Sequence, residues 1–150
     1  MDTIQTRETN TYLATQLALL YAAGMEVHLF KSTFSPNPNS VKADFTTNEV
    51  VFDGYALYTT NLPPISGLDI SGQEALISAE LATFTQTGVV TTDIAGGYFL
   101  IGGGIGGPLI GYGVFDTPLN FDRTGNVGLV KWNEVANPIF NADVEFIEGP

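Results

Sequence analysis

The chain has 150 residues, of which 44% are hydrophobic and 14% charged, a length that fits one domain whose core needs no disulfide or metal staple. Its 16 acidic and 5 basic residues give a net charge of −11, which disfavours nucleic-acid binding because that binding relies on lysine and arginine neutralising phosphates. The absence of cysteine excludes disulfides and thiolate metal sites, and the low charged fraction favours a protein that buries apolar surface against partners.

The first predicted element is a helix over residues 1–24 that ends at Gly24. Its main apolar stripe recurs at helical spacing and comprises Leu13, Leu17, Leu20 and Tyr21. Tyr12 and Leu19 lie off that stripe and form a second apolar strip. A helix that is apolar on two sides usually packs between two bodies, so we predict that Tyr12, Leu19 and Tyr21 belong to an attachment or oligomerisation interface. The alternative is that a loop of the same chain covers the second strip.

Downstream of the helix the hydrophobic pattern changes to a period of two, which is typical of β-strands. Residues 25–30 form the first predicted strand, and a loop rich in proline and asparagine follows over residues 34–40. Phe45 leads into the next predicted strand over residues 50–58, where Asp53-Gly54 marks a bulge or a bend.

The middle of the chain carries weaker signals. Residues 65–73 are rich in turn formers. Residues 75–84 fit either a helix or a strand, and the threonine, phenylalanine and valine residues that follow favour a strand from Leu81 onwards.

A glycine-dense stretch over residues 96–115 is predicted to form a β-hairpin. Apolar runs at 98–101 and 109–115 flank the glycines at 102–107, which can turn sharply because glycine has no side chain to clash. The stretch also matches G-x-G-x-x-G, but a dinucleotide fingerprint must open a helix and here strand-like sequence follows, so we reject that interpretation. Close packing is predicted against Gly97, Gly111 and Gly113.

The last third of the chain is predicted to be entirely β. A β pair is expected over residues 119–130 around Thr124-Gly125-Asn126, Trp132 and Val135 begin further elements, and a final strand lies within residues 139–147. Short strands separated by frequent turns favour a mainly β fold, a single-domain β-sandwich or small barrel with one N-terminal α-helix. Residues 1–24 are then the helical attachment segment and residues 25–150 the β domain.

His28 is the only histidine, so any Ser-His or Cys-His catalytic arrangement would have to use it. It lies in a strand pattern beside Leu29 and Phe30, and we predict a structural histidine at a strand edge. Three acidic residues that are close in sequence are predicted to be solvated surface acids rather than an acid–base pair: Asp69, Glu74 and Glu80. No catalytic, cofactor-binding or metal-ligating residue is predicted.

One turn resembles the start of a calcium-binding loop. Its oxygen-bearing residues alternate and a glycine follows, at Asn120, Asp122, Thr124, Gly125 and Asn126. The position that would supply a bidentate glutamate is Lys131, so a plain turn stabilised by asparagine and aspartate is favoured. A cation site that also uses Asp116 stays open.

Several aromatic residues could form a platform for stacking sugars: Tyr55, Tyr58, Tyr98, Tyr112 and Trp132. Aromatic side chains at strand spacing more often belong to the core, which is the favoured interpretation. A glycan-binding module therefore remains as an alternative.

Three short segments, residues 27–38, 43–46 and 51–56, resemble a family of small structural proteins, virion- or tail-associated, that tailed bacteriophages encode. The shared order is an apolar strand ending in Leu29-Phe30-Lys31, a threonine- and proline-rich loop, an acidic turn and an aromatic-x-Gly-Tyr strand. The run over residues 109–126 is similar to the downstream half of these proteins. The resemblance implies a structural role in the phage particle and supplies no catalytic residue.

The expected function is therefore that of a non-enzymatic phage virion protein, a capsid decoration or a head- or tail-associated component held by protein–protein contacts. Its expected partners are copies of itself, in a trimer or a ring, and other virion proteins, without nucleic acid, membrane or cofactor. The alternative is a module at a tail or head fibre that binds a host surface or a glycan.

Overall fold

The computed structural model describes residues 26–59, 68–71, 74–77, 80–102, 107–136 and 139–150. The helix predicted over residues 1–24, with Tyr12, Leu19 and Tyr21, lies outside the described residues.

The described chain contains nine strands and one short helix. In chain order these are β1 (Glu26–Lys31), α1 (Lys42–Thr47), β2 (Tyr58–Thr59), β3 (Leu68–Ser71), β4 (Glu74–Ile77), β5 (Glu80–Thr85), β6 (Asp93–Ile101), β7 (Leu109–Phe121), β8 (Val127–Ala136) and β9 (Ile139–Ile147). A four-stranded antiparallel sheet has the order β2-β1-β6-β7, a three-stranded antiparallel sheet has the order β5-β8-β9, and β3 pairs with β4. The mainly β fold expected from the sequence is confirmed.

The main hydrophobic core lies between the two larger sheets, as in a small β-sandwich. Alternate residues of β1 and β6 face this core, and so do alternate residues of β5 on the other sheet. Its buried members include Val27, Leu29, Tyr98, Leu100, Ala82, Phe84, Phe121 and Val130. Burial of each large apolar side chain contributes about 1.5–3 kcal/mol, so this layer stabilises the packing of the two sheets on each other.

A second hydrophobic cluster covers the opposite face of the four-stranded sheet. Phe45 of α1 packs there on Phe30, Phe99 and Tyr112, with ring centroids 5.2 to 5.6 Å apart. Helix α1 begins after Val41, whose backbone N–H donates to the Asp44 carboxylate at 2.9 Å. This helix was not predicted, because Phe45-Thr46-Thr47 has good strand propensity and the helix is fixed by the burial of Phe45.

The predicted glycine hairpin is confirmed. β6 and β7 pair antiparallel as far as Ile101 and Leu109, and the Gly102 N–H donates to the Pro108 carbonyl at 3.1 Å. A β-carbon at Gly97 would overlap the Gly113 carbonyl oxygen and the Phe30 ring, and one at Gly113 would overlap the Tyr98 ring. The prediction for Gly111 was wrong, since a β-carbon there would meet no atom of the described residues within 4 Å.

Residues 50–58 do not form the predicted strand. Only Tyr58–Thr59 is a strand, and Gly54, with a φ of 86°, sits in a turn after Asp53. The preceding residues 48–52 (the strap) instead run along the outer edge of β1, where Val50 N–H donates to the Leu29 carbonyl at 3.1 Å. Val50 and Phe52 are buried and Val51 is exposed, so the alternation that resembled a strand reflects packing of the strap on the core.

Two further sequence predictions need correction. β7 and β8 flank the turn around Gly125 but belong to different sheets, so residues 119–130 are a corner between the sheets rather than a β pair. Residues 65–73, which were expected to be turns, include strand β3. The strand expected within residues 139–147 is confirmed as β9. The strand expected from Leu81 is confirmed as β5, but it ends at Thr85, and Val89 and Val90, whose propensity favoured a longer strand, lie in the loop before β6.

Candidate functional site

The most distinctive polar feature is His28, which is 5% exposed on the α1-covered face of β1. It was predicted to be a structural histidine at a strand edge, and it follows the two residues, Glu26 and Val27, at which β2 pairs with the outer side of β1. β1 lies between β2 and β6 in the sheet. Farther along β1 than β2 reaches, the strap covers the outer side of β1 through a bridge between Phe30 and Glu49. His28 is therefore a buried polar group inside a sheet, where each of its nitrogens needs a partner.

Two carboxylates supply those partners. His28 Nδ1 lies 2.6 Å from Glu49 Oε1, and His28 Nε2 lies 3.0 Å from Glu26 Oε2. The imidazole also stacks on the Phe99 ring, with centroids 4.7 Å apart and planes inclined by 18°. A neutral imidazole has one N–H and can donate to one of two ionised carboxylates, whereas the protonated ring donates to both.

Tyr55 completes the group, which we call the His28 cluster: His28, Glu26, Glu49 and Tyr55. The Tyr55 hydroxyl donates to Glu49 Oε1 at 2.6 Å and accepts the Leu29 backbone N–H at 3.1 Å. Glu49 Oε1 thus lies within hydrogen-bond distance of both His28 and Tyr55, which anchors the strap to β1 through side chains as well as through its backbone.

The pKa shifts follow from this geometry. Burial by itself would favour the neutral imidazole, but hydrogen bonds to Glu49 and Glu26 and their negative charges outweigh it and raise the pKa of His28. Burial would also favour the neutral Glu49 carboxyl, yet the hydrogen bonds from His28 and Tyr55 lower its pKa. Burial and the neighbouring Glu49 carboxylate raise the pKa of Tyr55, which keeps its hydroxyl a donor.

We expect the free energy of unfolding to depend on pH in two opposite directions. The raised pKa of His28 means that its contribution is complete below the unfolded value of 6.5 and is lost as the pH rises through the folded pKa. The lowered pKa of Glu49 means that its contribution is complete above 4.5 and is lost as the pH falls through its folded pKa. The cluster therefore stabilises the fold most between these two values.

Urea unfolding at a series of pH values measures this dependence. His28→Gln is the matched control, because it removes the only imidazole and with it the part of the alkaline loss that comes from His28. If the free energy of unfolding of the wild type fell no more steeply than that of the variant as the pH rises above 6.5, the assignment of a charged His28 would be contradicted.

The calcium-like turn is closed by its own asparagine. Asn126 Nδ2 donates to the Asn120 carbonyl at 2.8 Å and to Asp122 Oδ1 at 3.2 Å, while Asn126 Oδ1 accepts the Gly149 N–H at 2.8 Å. These bonds match the favoured turn interpretation. Among the residues that the structure describes, no group of three or more histidine, aspartate or glutamate side chains is arranged to hold a metal ion.

The aromatic residues considered as a sugar platform pack inward wherever their side chains are described. Tyr98 is buried, Tyr112 packs on Phe45, and Tyr55 and Tyr58 pack against the main core. The side chains of Trp132 and of the three acids Asp69, Glu74 and Glu80 lie outside the described part of the structure.

A second feature is the loop between β5 and β6, whose Val89 and Val90 (the valine tip) are 64% and 92% exposed. Asp53 Oδ2 accepts the Val90 N–H at 2.8 Å, and the fully buried Gln86 donates through Nε2 to the carbonyls of Gly88 and Thr91 at 2.6 and 3.0 Å. Side-chain hydrogen bonds from two directions therefore hold an apolar loop out in solvent.

Most of these residues could not be identified from the sequence. Glu26 and His28 are two residues apart in a strand and so share a face, which was a usable signal for their pairing. Glu49, Tyr55 and the valine tip gave no comparable signal, because their roles depend on contacts between distant segments.

No helix among the described residues is long and apolar enough to cross a membrane. Compared with known proteins, the chain matches no protein-family model, no curated protein and no solved structure.

Proposed function

We propose that the chain is a non-enzymatic structural component of a tailed-phage virion, a capsid decoration or a head- or tail-associated protein. It is held by protein–protein contacts with copies of itself and with other virion proteins. The starting point is the resemblance of residues 27–38, 43–46, 51–56 and 109–126 to small phage structural proteins.

The valine tip is the observation that carries the proposal. Val89 and Val90 adjoin each other in the chain and are both exposed, so covering them with a partner would remove apolar surface from water, which is favourable. The tip is held by Asp53 and Gln86 before any partner arrives, so binding costs little conformational entropy. A loop arranged in this way is suited to insertion into a complementary apolar pocket of a neighbouring subunit.

The environment of His28 supports the non-enzymatic part. A general base must come within hydrogen-bond reach of the substrate proton. Both His28 nitrogens already face carboxylates, and the residue is 5% exposed. The hydrogen-bonding capacity of the only imidazole in the chain is therefore used within the protein.

We expect Val89→Ser/Val90→Ser to reduce incorporation of the protein into particles at least about tenfold, since burying each valine contributes roughly 1.5 kcal/mol. The measurement is the amount of variant that co-sediments with particles assembled without the wild-type chain. Val41→Ser is the matched control, because Val41 is also exposed and a serine before α1 favours the helix.

The variants must first show wild-type circular dichroism and unfolding midpoints. Equal incorporation of the tip variant and the Val41→Ser control would remove the valine tip as an attachment surface.

A further inference from the structure

The strap is joined to β1 by backbone hydrogen bonds and by the contact of Glu49 with the titratable ring of His28. Val50 N–H donates to the Leu29 carbonyl at 3.1 Å, and Lys31 N–H donates to the Asn48 carbonyl at 2.8 Å. The Leu29 N–H donates to the Tyr55 hydroxyl, which itself donates to Glu49. The N–H groups of Leu29, Lys31 and Val50 thus keep their hydrogen bonds only while the segment that carries Glu49 stays on β1.

We propose that His28 is a charge-operated latch: its protonation holds the strap on β1, and its neutralisation releases the strap and bares the outer edge of β1. This inference stands independently of the proposed virion role.

The groups facing His28 determine what happens when it loses its proton. Glu26 faces it from β1 itself, Glu49 from the strap with Tyr55 behind it, and β6 contributes the uncharged ring of Phe99. A neutral imidazole donates to one carboxylate and presents a lone pair to the other. Two carboxylates then remain around a ring without charge, in a site with little water to screen them.

Glu49 is the partner that leaves. The backbone at Glu26 is held on both sides, by Thr59 of β2 and Ile101 of β6, whereas Glu49 lies in the strap and is joined to β1 by an isolated bridge. The Glu49 side chain is also the more exposed of the two, at 25% against 11% for Glu26, so solvent is closer to it. Moving Glu49 into water relieves the repulsion and takes the strap with it.

Release of the strap changes the surface of the protein. The carbonyl of Leu29 and the N–H groups of Leu29 and Lys31 lose their partners and form part of an open strand edge, which is a template for pairing with another strand. Because hydrogen bonds to the two glutamates outweigh burial and raise the pKa of His28, the latch opens at a pH above the ordinary imidazole value of 6.5.

Hydrogen exchange followed by NMR tests the latch on the full chain. His28 gives the only imidazole signals, so its titration is read directly, and the protection factors of the Leu29, Lys31 and Val50 amides are measured on either side of its midpoint. We expect these three protection factors to fall about tenfold or more as His28 is neutralised, which is the size expected for loss of a charge-assisted hydrogen bond. Amides between β6 and β7, such as that of Tyr98, serve as the internal control and keep their protection.

Glu49→Gln supplies the variant control, because it removes the charge and keeps the shape. Protection of the three amides in this variant is expected to be independent of the His28 titration. The latch is overturned if wild-type protection does not change across the titration, or if it falls equally at Tyr98 as in global unfolding. The wild-type comparison decides the matter alone should Glu49→Gln fail to fold.

Discussion

Replacing His28 with leucine is expected to lower the free energy of unfolding by about 3 kcal/mol, because it removes the cation from a buried group of charges. The substitution keeps an apolar contact with Phe99 but leaves Glu26 and Glu49 partly buried without a cation. Urea unfolding measured between pH 4.5 and 6.5, where the cluster stabilises the fold most, gives the difference.

The double variant His28→Leu/Glu49→Gln separates charge from packing. Removing the charge of one of the two carboxylates that lack a cation is expected to restore part of the lost stability. The effects of the two substitutions on the free energy of unfolding are therefore non-additive. If His28→Leu were as stable as the wild type, the cluster would not depend on a charged imidazole and the latch would have no basis.

Replacing Gly97 with alanine is expected to cost about 2 kcal/mol, whereas the same substitution at Gly111 is expected to change stability by less than about 0.5 kcal/mol. A β-carbon at Gly97 would overlap the Gly113 carbonyl oxygen and the Phe30 ring, and backbone atoms in a paired sheet cannot move aside easily. Gly111 lies in the same hairpin and a β-carbon there meets no described atom within 4 Å, which makes it the matched control.

Gly113→Ala tests the same principle with a side chain as the obstacle. Its β-carbon would overlap the buried Tyr98 ring, so we expect a loss close to that of Gly97→Ala. Equal losses at Gly97 and Gly111 would show that the glycines act through backbone conformation and not through the contacts above.

These glycines also show what the sequence could and could not predict. The hairpin was predictable because two apolar runs flank a stretch in which glycine permits a tight turn. Which glycines are packed closely depends on their cross-strand neighbours. Gly97 pairs with Phe30 and Gly113 with Tyr98, and each aromatic ring lies over the glycine opposite it, whereas Gly111 pairs with Leu100.

The strap was assigned wrongly because its residues have strand propensity without a strand's partner. Val50-Val51-Phe52 alternates between buried and exposed positions, as a strand does, yet it contacts β1 only briefly before the turn at Gly54. Residues with high strand propensity are those whose side chains fit a half-buried surface. The strap is half-buried because it packs on the core, so it selects the same residue types without being a strand.

The site itself was only half visible in the sequence. His28 stood out because it is the only histidine, and Glu26 lies on the same face of the predicted strand. Glu49 is 21 residues away, and no local pattern places its carboxylate beside His28. The alternation in residues 25–30 indicated a strand but not what covers its polar face, and α1 with the strap makes that face an interior one.

The most direct test of the proposed function is the number of copies of this chain in each purified particle of the phage that, under this proposal, encodes it. Quantitative mass spectrometry against a known capsid protein provides that number. We expect a fixed copy number that persists through high-salt purification, because the apolar contacts proposed for the valine tip would not be screened by salt. Hundreds of copies would indicate a capsid or tube component, and a handful would favour the fibre module that binds a host surface. A chain abundant in infected cells and missing from purified particles would contradict a virion role.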